Sequence, residues 1–132
     1  MTPQPQPSPT VTITVQPPHS VNKDSAITPT VEARLQFNSK SYLQNQVGSI
    51  YATAVVRDMD ETAIAASDYS GKVETEYQSN KTVKDETNVT YAFPDLCIHK
   101  VGTFRIIIAI HFIDGEGSVV LCEDESLAFM VY

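Results

Sequence analysis

Histidine, cysteine, serine and clustered carboxylates are the side chains here that could carry chemistry, and spacing decides what each set can do. His19, His99 and His111 fall 80 and then 12 positions apart, which is not the spacing of a local metal-ligand set. Asp58, Asp60 and Glu61 offer hard oxygen ligands of the kind Ca²⁺ or Mg²⁺ takes. They lack the turn glycine and distant bidentate glutamate of a calcium loop, so a solvated acidic loop is the favoured reading. A nucleophilic Ser or Cys needs a base within hydrogen-bond reach and a third group to orient that base, and no Ser or Cys here sits in a motif that supplies them. Neither a glycine-rich phosphate loop nor a His-Glu-x-x-His helix is present. The expectation is a non-enzymatic chain with no catalytic residue, metal, cofactor or small-molecule substrate.

The side chains that remain are those of a binding protein, and composition limits what it binds. The chain has 132 residues, with 9 Lys plus Arg against 16 Asp plus Glu, a formal charge of −7. Affinity for nucleic acid comes largely from neutralising phosphates, so DNA binding would require a local basic patch. Three Arg and six Lys are spread along the chain, and the neighbours Lys81 and Lys84 are followed at once by Asp85 and Glu86. Glu123, Asp124 and Glu125 form an acidic cluster, and after Arg105 no basic residue follows. The longest apolar stretch, residues 104–113, falls well short of the roughly 20 residues a membrane helix needs. The first nine residues lack the charged and apolar regions of a secretory signal. An intracellular chain is expected, with Cys97 and Cys122 as reduced thiols.

Positioning falls to strands. Residues 1–9, with Pro at every second position, read as a flexible Pro/Gln-rich tail, and residues 10–132 as a single domain. Val11, Ile13 and Val15 alternate with polar residues, as do Val31, Ala33, Leu35 and Phe37, the period of a half-buried strand. Between them, His19 to Pro29 reads as a loop long enough to carry function. Ile50 to Arg57 reads as a strand buried on both faces, and Ala63 to Ala66 as a helical turn or a loop. Lys72 to Tyr77 and Thr90 to Ile98 are expected strands, with Gln78 to Asn88 a polar segment between them. Phe104 to Ile113 reads as a central strand covered on both sides. Asp114-Gly115 then signals a tight hairpin, with Ser118 to Cys122 returning, and Leu127 to Tyr132 reads as the last strand. Seven or eight short strands with little helix predict an all-β fold, an antiparallel immunoglobulin-like β-sandwich.

The run Phe93, Pro94, Asp95, Leu96, Cys97, Ile98, followed by Gly102, Thr103, Phe104 and Arg105, resembles the signature of the fungal velvet family. Val11 to Pro18, Ile27 to Val31 and Leu127 to Tyr132 fall in the family's order, so the resemblance covers most of the chain. It implies a Rel-type immunoglobulin-like sandwich in a regulator of fungal development and secondary metabolism. Such a protein is expected in the nucleus and cytoplasm, with another velvet-domain protein as its partner in a homo- or heterodimer. The resemblance also points to a DNA-facing loop, His19, Asn22 and Lys23, with His99 and Lys100 beside it. That loop is less basic here than the family pattern, Lys23 being offset by Asp24. DNA binding is therefore expected to be weak or supplied by the partner. The alternative is an acidic immunoglobulin-like interaction or adhesion module that binds no DNA.

Overall fold

The computed structural model describes residues 8–132; most of the expected Pro/Gln tail lies outside them. Alternation of apolar and polar residues organises the fold into two facing sheets. In the first, β1 (Thr10–Val15), β3 (Val31–Asn38), β8 (Glu86–Phe93) and β7 (Ser79–Val83) lie in the order β1-β3-β8-β7, all antiparallel. In the second, β2 (Ser20–Val21), β12 (Phe129–Val131), β10 (Gly102–Asp114), β4 (Ile50–Asp58) and β6 (Glu74–Thr75) follow in that order. β11 (Gly117–Glu125) pairs with β10. A third element is small: β5 (Tyr69–Ser70) pairs with β9 (Cys97–Ile98).

Register places like with like across each ladder. Val31 lies opposite Phe93, Ala33 opposite Tyr91 and Leu35 opposite Val89 in one sheet, while Ile106, Ile108 and Ile110 face Val56, Ala54 and Ala52 in the other. All of these are buried in one core with Phe104, Phe129 and Val131. Small Ala on β4 opposite large Ile on β10 keeps the layer even, and each buried Ile contributes about 1.5–3 kcal/mol by leaving water. The chain is an all-β sandwich.

Several expectations need correction. Twelve strands form among the described residues, many of only two or three residues. The segment Gln78 to Asn88 holds most of a hairpin, β7 turning at Lys84 and Asp85 into β8. β7 is exposed along its whole length, so no apolar alternation betrays it. The expected strand from Thr90 ends at Phe93, and Cys97–Ile98 pairs elsewhere. Of Lys72 to Tyr77, only Glu74–Thr75 is strand. β4 alternates buried with half-buried residues and is not covered on both faces. On β10 the double cover holds at Ile106, Ile107 and Ile108, whereas Ala109 and His111 are half-buried. The Asp-Gly hairpin forms as expected, Asp114 pairing with Gly117. β2 runs parallel to β12, the exception among the described residues to an otherwise antiparallel pairing. Among the described residues helix is confined to three single turns of 3-10 type, at Tyr42–Asn45, Val47–Ser49 and Ala66–Asp68. No helix of the described residues is long and apolar enough to cross a membrane.

Candidate functional site

Asp24 and His99 lie 75 positions apart, yet their side chains meet, because backbone hydrogen bonds on two sides clamp the loop after β2. On one side the β12 segment holds it: Met130 N–H donates to the His19 carbonyl (2.8 Å), Tyr132 N–H to Val21 (3.1 Å), and Lys23 N–H to Tyr132 (2.8 Å). On the other, Asp24 N–H donates to the Ile98 carbonyl (2.9 Å) and Ile27 N–H to that of Leu96 (2.7 Å). Asn22 and Lys23 are thereby brought beside His99 and Lys100, and all four are exposed. His19 is exposed at the far end of β2, where its carbonyl takes the Met130 bond; no hydrogen bond among the described residues joins its ring to this group.

The middle of this face is a chain of three side chains. His99 Nδ1 lies 2.7 Å from Asp24 Oδ1, and His99 Nε2 lies 2.7 Å from Ser70 Oγ. A carboxylate only accepts, so Nδ1 carries the proton to Asp24 and, in the neutral ring, Nε2 accepts from the Ser70 hydroxyl. Backbone bonds fix each participant: His99 N–H donates to the Asp68 carbonyl (2.8 Å), and Ser70 pairs with Cys97 in the β5–β9 ladder. The ring and the carboxylate are partly open to water, with 34% and 60% of their side-chain surfaces exposed. Cys97 Sγ stands 3.9 Å from Nδ1, and burial, with the Asp24 charge adding, pushes its thiol pKa up.

Two of the four non-glycine residues with positive φ among the described residues lie at this place. Asp24 and Asp95 adopt left-handed φ of 66° and 61°, and Gly71, next to Ser70, has φ 106°. A Cβ at Gly71 would be driven into the Asp95 carbonyl, so only glycine allows the Ser70 segment to lie this close to the turn after β8. At a non-glycine residue such a conformation costs of order 1–3 kcal/mol; Glu61 (φ 63°) and Lys84 (φ 56°) adopt it in other turns.

The signature residues serve packing. Phe93, Leu96 and Phe104 are core; Pro94 lies just after β8, its carbonyl accepting Lys72 N–H (3.2 Å). Gly102 begins β10 at φ 154°, where a Cβ would meet the Phe104 ring at 2.9 Å. Arg105 Nη1 pairs with Glu125 Oε1 at 2.9 Å on a half-open surface, an interaction of modest worth there. His111 bonds Thr53 Oγ1 (2.8 Å) and stacks on Tyr51 at 4.7 Å, away from the other histidines. Asp58 Oδ1 accepts from Asp60 N–H (2.9 Å) and Thr62 N–H (3.0 Å), closing its own turn. Among the described residues no three His, Cys, Asp or Glu side chains gather as a metal site requires. Both cysteines are free thiols. An open groove of about 770 Å³ between Tyr51, Lys72, Tyr77 and Ile113 is lined by none of Asp24, Ser70 and His99.

Sequence reasoning named His99 but missed Ser70, and saw Asp24 only as a charge offsetting Lys23. No local signal marks the set, because its members come from three separated segments of the chain and none lies in a nucleophile motif. No family model matches the chain, and no curated protein matches it. Among solved structures it is similar to part of a family 123 glycoside hydrolase from Clostridium perfringens, described in connection with glycolipid glycan hydrolysis. Identity there is 8%, with 92% of this chain and 27% of that chain covered and a TM-score of 0.30. The chain spans about a quarter of that enzyme's length, and a likeness of this size carries nothing about activity.

Proposed function

We propose that this β-sandwich is a velvet-type regulatory domain that works by associating with a second velvet-domain protein. Its role is in transcriptional control of fungal development and secondary metabolism, in nucleus and cytoplasm, with DNA held weakly or through the partner. The observation that supports this reading is the charge of the face formed by the loop after β2 and the segment after β9. Lys23 and Lys100 are its cations, and Asp24 stands between those two segments, bonded to His99. Two lysines beside a carboxylate make a poor phosphate-tracking surface, which leaves protein association as the main role of the domain. Surface side chains suited to a partner are also present: Ile113, Val119 and Val120 on the β10–β11 hairpin are about half exposed.

The test is a titration of the chain on mixed-sequence duplex DNA at two salt concentrations, with light scattering of the same samples. Each phosphate contact contributes about −0.9 to the slope of log affinity against log salt. Two lysines therefore predict a slope no steeper than about −2, abolished by reversing Lys23 and Lys100 to Glu, together with a dimer in scattering. A steeper slope that survives those reversals would move the DNA surface elsewhere. A monomer with no DNA affinity at low salt would favour the interaction or adhesion module.

A further inference from the structure

We infer that Ser70, His99 and Asp24 form a reactive-serine site, open to solvent, that accepts acyl groups from small uncharged activated esters. The inference goes beyond the regulatory reading and does not depend on it. Three observations carry it. The contacts involve the nitrogens that acyl transfer needs: Nδ1 to the carboxylate and Nε2 to the hydroxyl, both at 2.7 Å, the arrangement in which a base can take the serine proton while its other nitrogen is oriented. All three residues are exposed, so a reagent reaches Ser70 Oγ without any opening of the fold. Finally, the left-handed φ of Asp24 and the glycine-only position at Gly71, next to Ser70, fix the backbone at two of the three members.

The chemistry balances with water as co-reactant. Ser70 Oγ passes its proton to His99 Nε2 and forms a bond to the acyl carbon. The bond from that carbon to the leaving oxygen breaks, and the leaving oxygen takes the proton from Nε2. Water then attacks the acyl-serine, its proton going to Nε2 and from there to Oγ as the acid departs, which restores the free hydroxyl. Asp24 is a positioning residue: it fixes the ring tautomer and steadies the imidazolium that forms. The open setting suits small neutral acyl groups, because no enclosing wall selects a larger one and the carboxylates of Asp24, Asp68 and Asp95 offset the charge of Lys23 and Lys100.

The experiment treats the whole chain with a fluorophosphonate, which transfers phosphorus to a serine oxygen with loss of fluoride. Adducts are located by intact mass and peptide mapping, and p-nitrophenyl acetate turnover is followed in parallel. One adduct per chain at Ser70 is expected, absent in Ser70→Ala and formed about 100-fold more slowly in His99→Gln, the usual worth of a positioned general base. Asp24→Asn should slow labelling while leaving the melting curve unchanged, since that side chain lies on the surface. A proton resonance of His99 Nδ1 far downfield, lost in Asp24→Asn, reads the orienting contact without reference to reactivity. No adduct, adducts scattered over other hydroxyls, or an unaltered rate in His99→Gln would overturn the inference. None of these outcomes touches the DNA and dimer readouts that test the regulatory reading.

Discussion

Tyr91 shows how a single atom can work against the fold that holds it. Its ring is fully buried opposite Ala33, and its hydroxyl has no hydrogen-bond partner among the described residues. Burial, with Cys122 and Tyr77 nearby, pushes its pKa far up. An unpartnered buried hydroxyl costs about 1–3 kcal/mol, so Tyr91→Phe should raise stability by about 1 kcal/mol or more, measured as a higher urea midpoint. Cys122 supplies the pH dependence. Burial pushes its thiol up to about 11 from the usual 9, so above pH 9 the unfolded thiol loses its proton before the folded one does. Stability from this group is intact below about pH 9 and is lost as pH rises toward 11. Melting curves across that range should fall less steeply in Cys122→Ser than in the parent chain.

Among the elements, β10 holds the most neighbours, and it depends on a residue outside any strand. Between the stretch paired with β12 and the stretch paired with β11, its Ile106 N–H meets Ser126 Oγ at 2.8 Å, and Ser126 N–H returns to the Ile106 carbonyl at 2.8 Å. Ser126→Ala leaves a buried N–H without a partner and should cost about 1–3 kcal/mol by denaturant unfolding, whereas Leu127→Ala, on an exposed side chain, should cost little. The strands whose residues alternate or run apolar, β1, β3, β4 and β10, could be read directly from sequence because burial on one face imposes that pattern. β7 could not, since both of its faces meet water and its Ser, Asn, Lys and Thr carry no period. The two-residue strands β2 and β5 escaped because tertiary pairing alone makes them strands, while β6 and β9 were covered by longer expected strands that the structure cuts short.

At the scale of the whole molecule, the sandwich was legible and the site was not. Alternation reports which way a residue faces, but it does not report which loops meet. The meeting of Asp24, Ser70 and His99 depends on β2 lying parallel to β12, on the β5–β9 pair and on a glycine at position 71, and none of these leaves a mark nearby in sequence. The parallel pairing of β2 with β12 also sets an order of events during synthesis. The residues that clamp the loop after β2, Met130 to Tyr132, leave the ribosome more than a hundred positions after the loop itself. Until they emerge, the loop after β2 lacks its clamp on the β12 side, although Leu96 and Ile98 can already hold Asp24 and Ile27 and the first-made strands β1 and β3 can already pair. The face that carries Lys23 and the Asp24–His99 contact is therefore completed late, and a nascent chain halted before β12 presents a nearly complete sandwich with that face held on one side only.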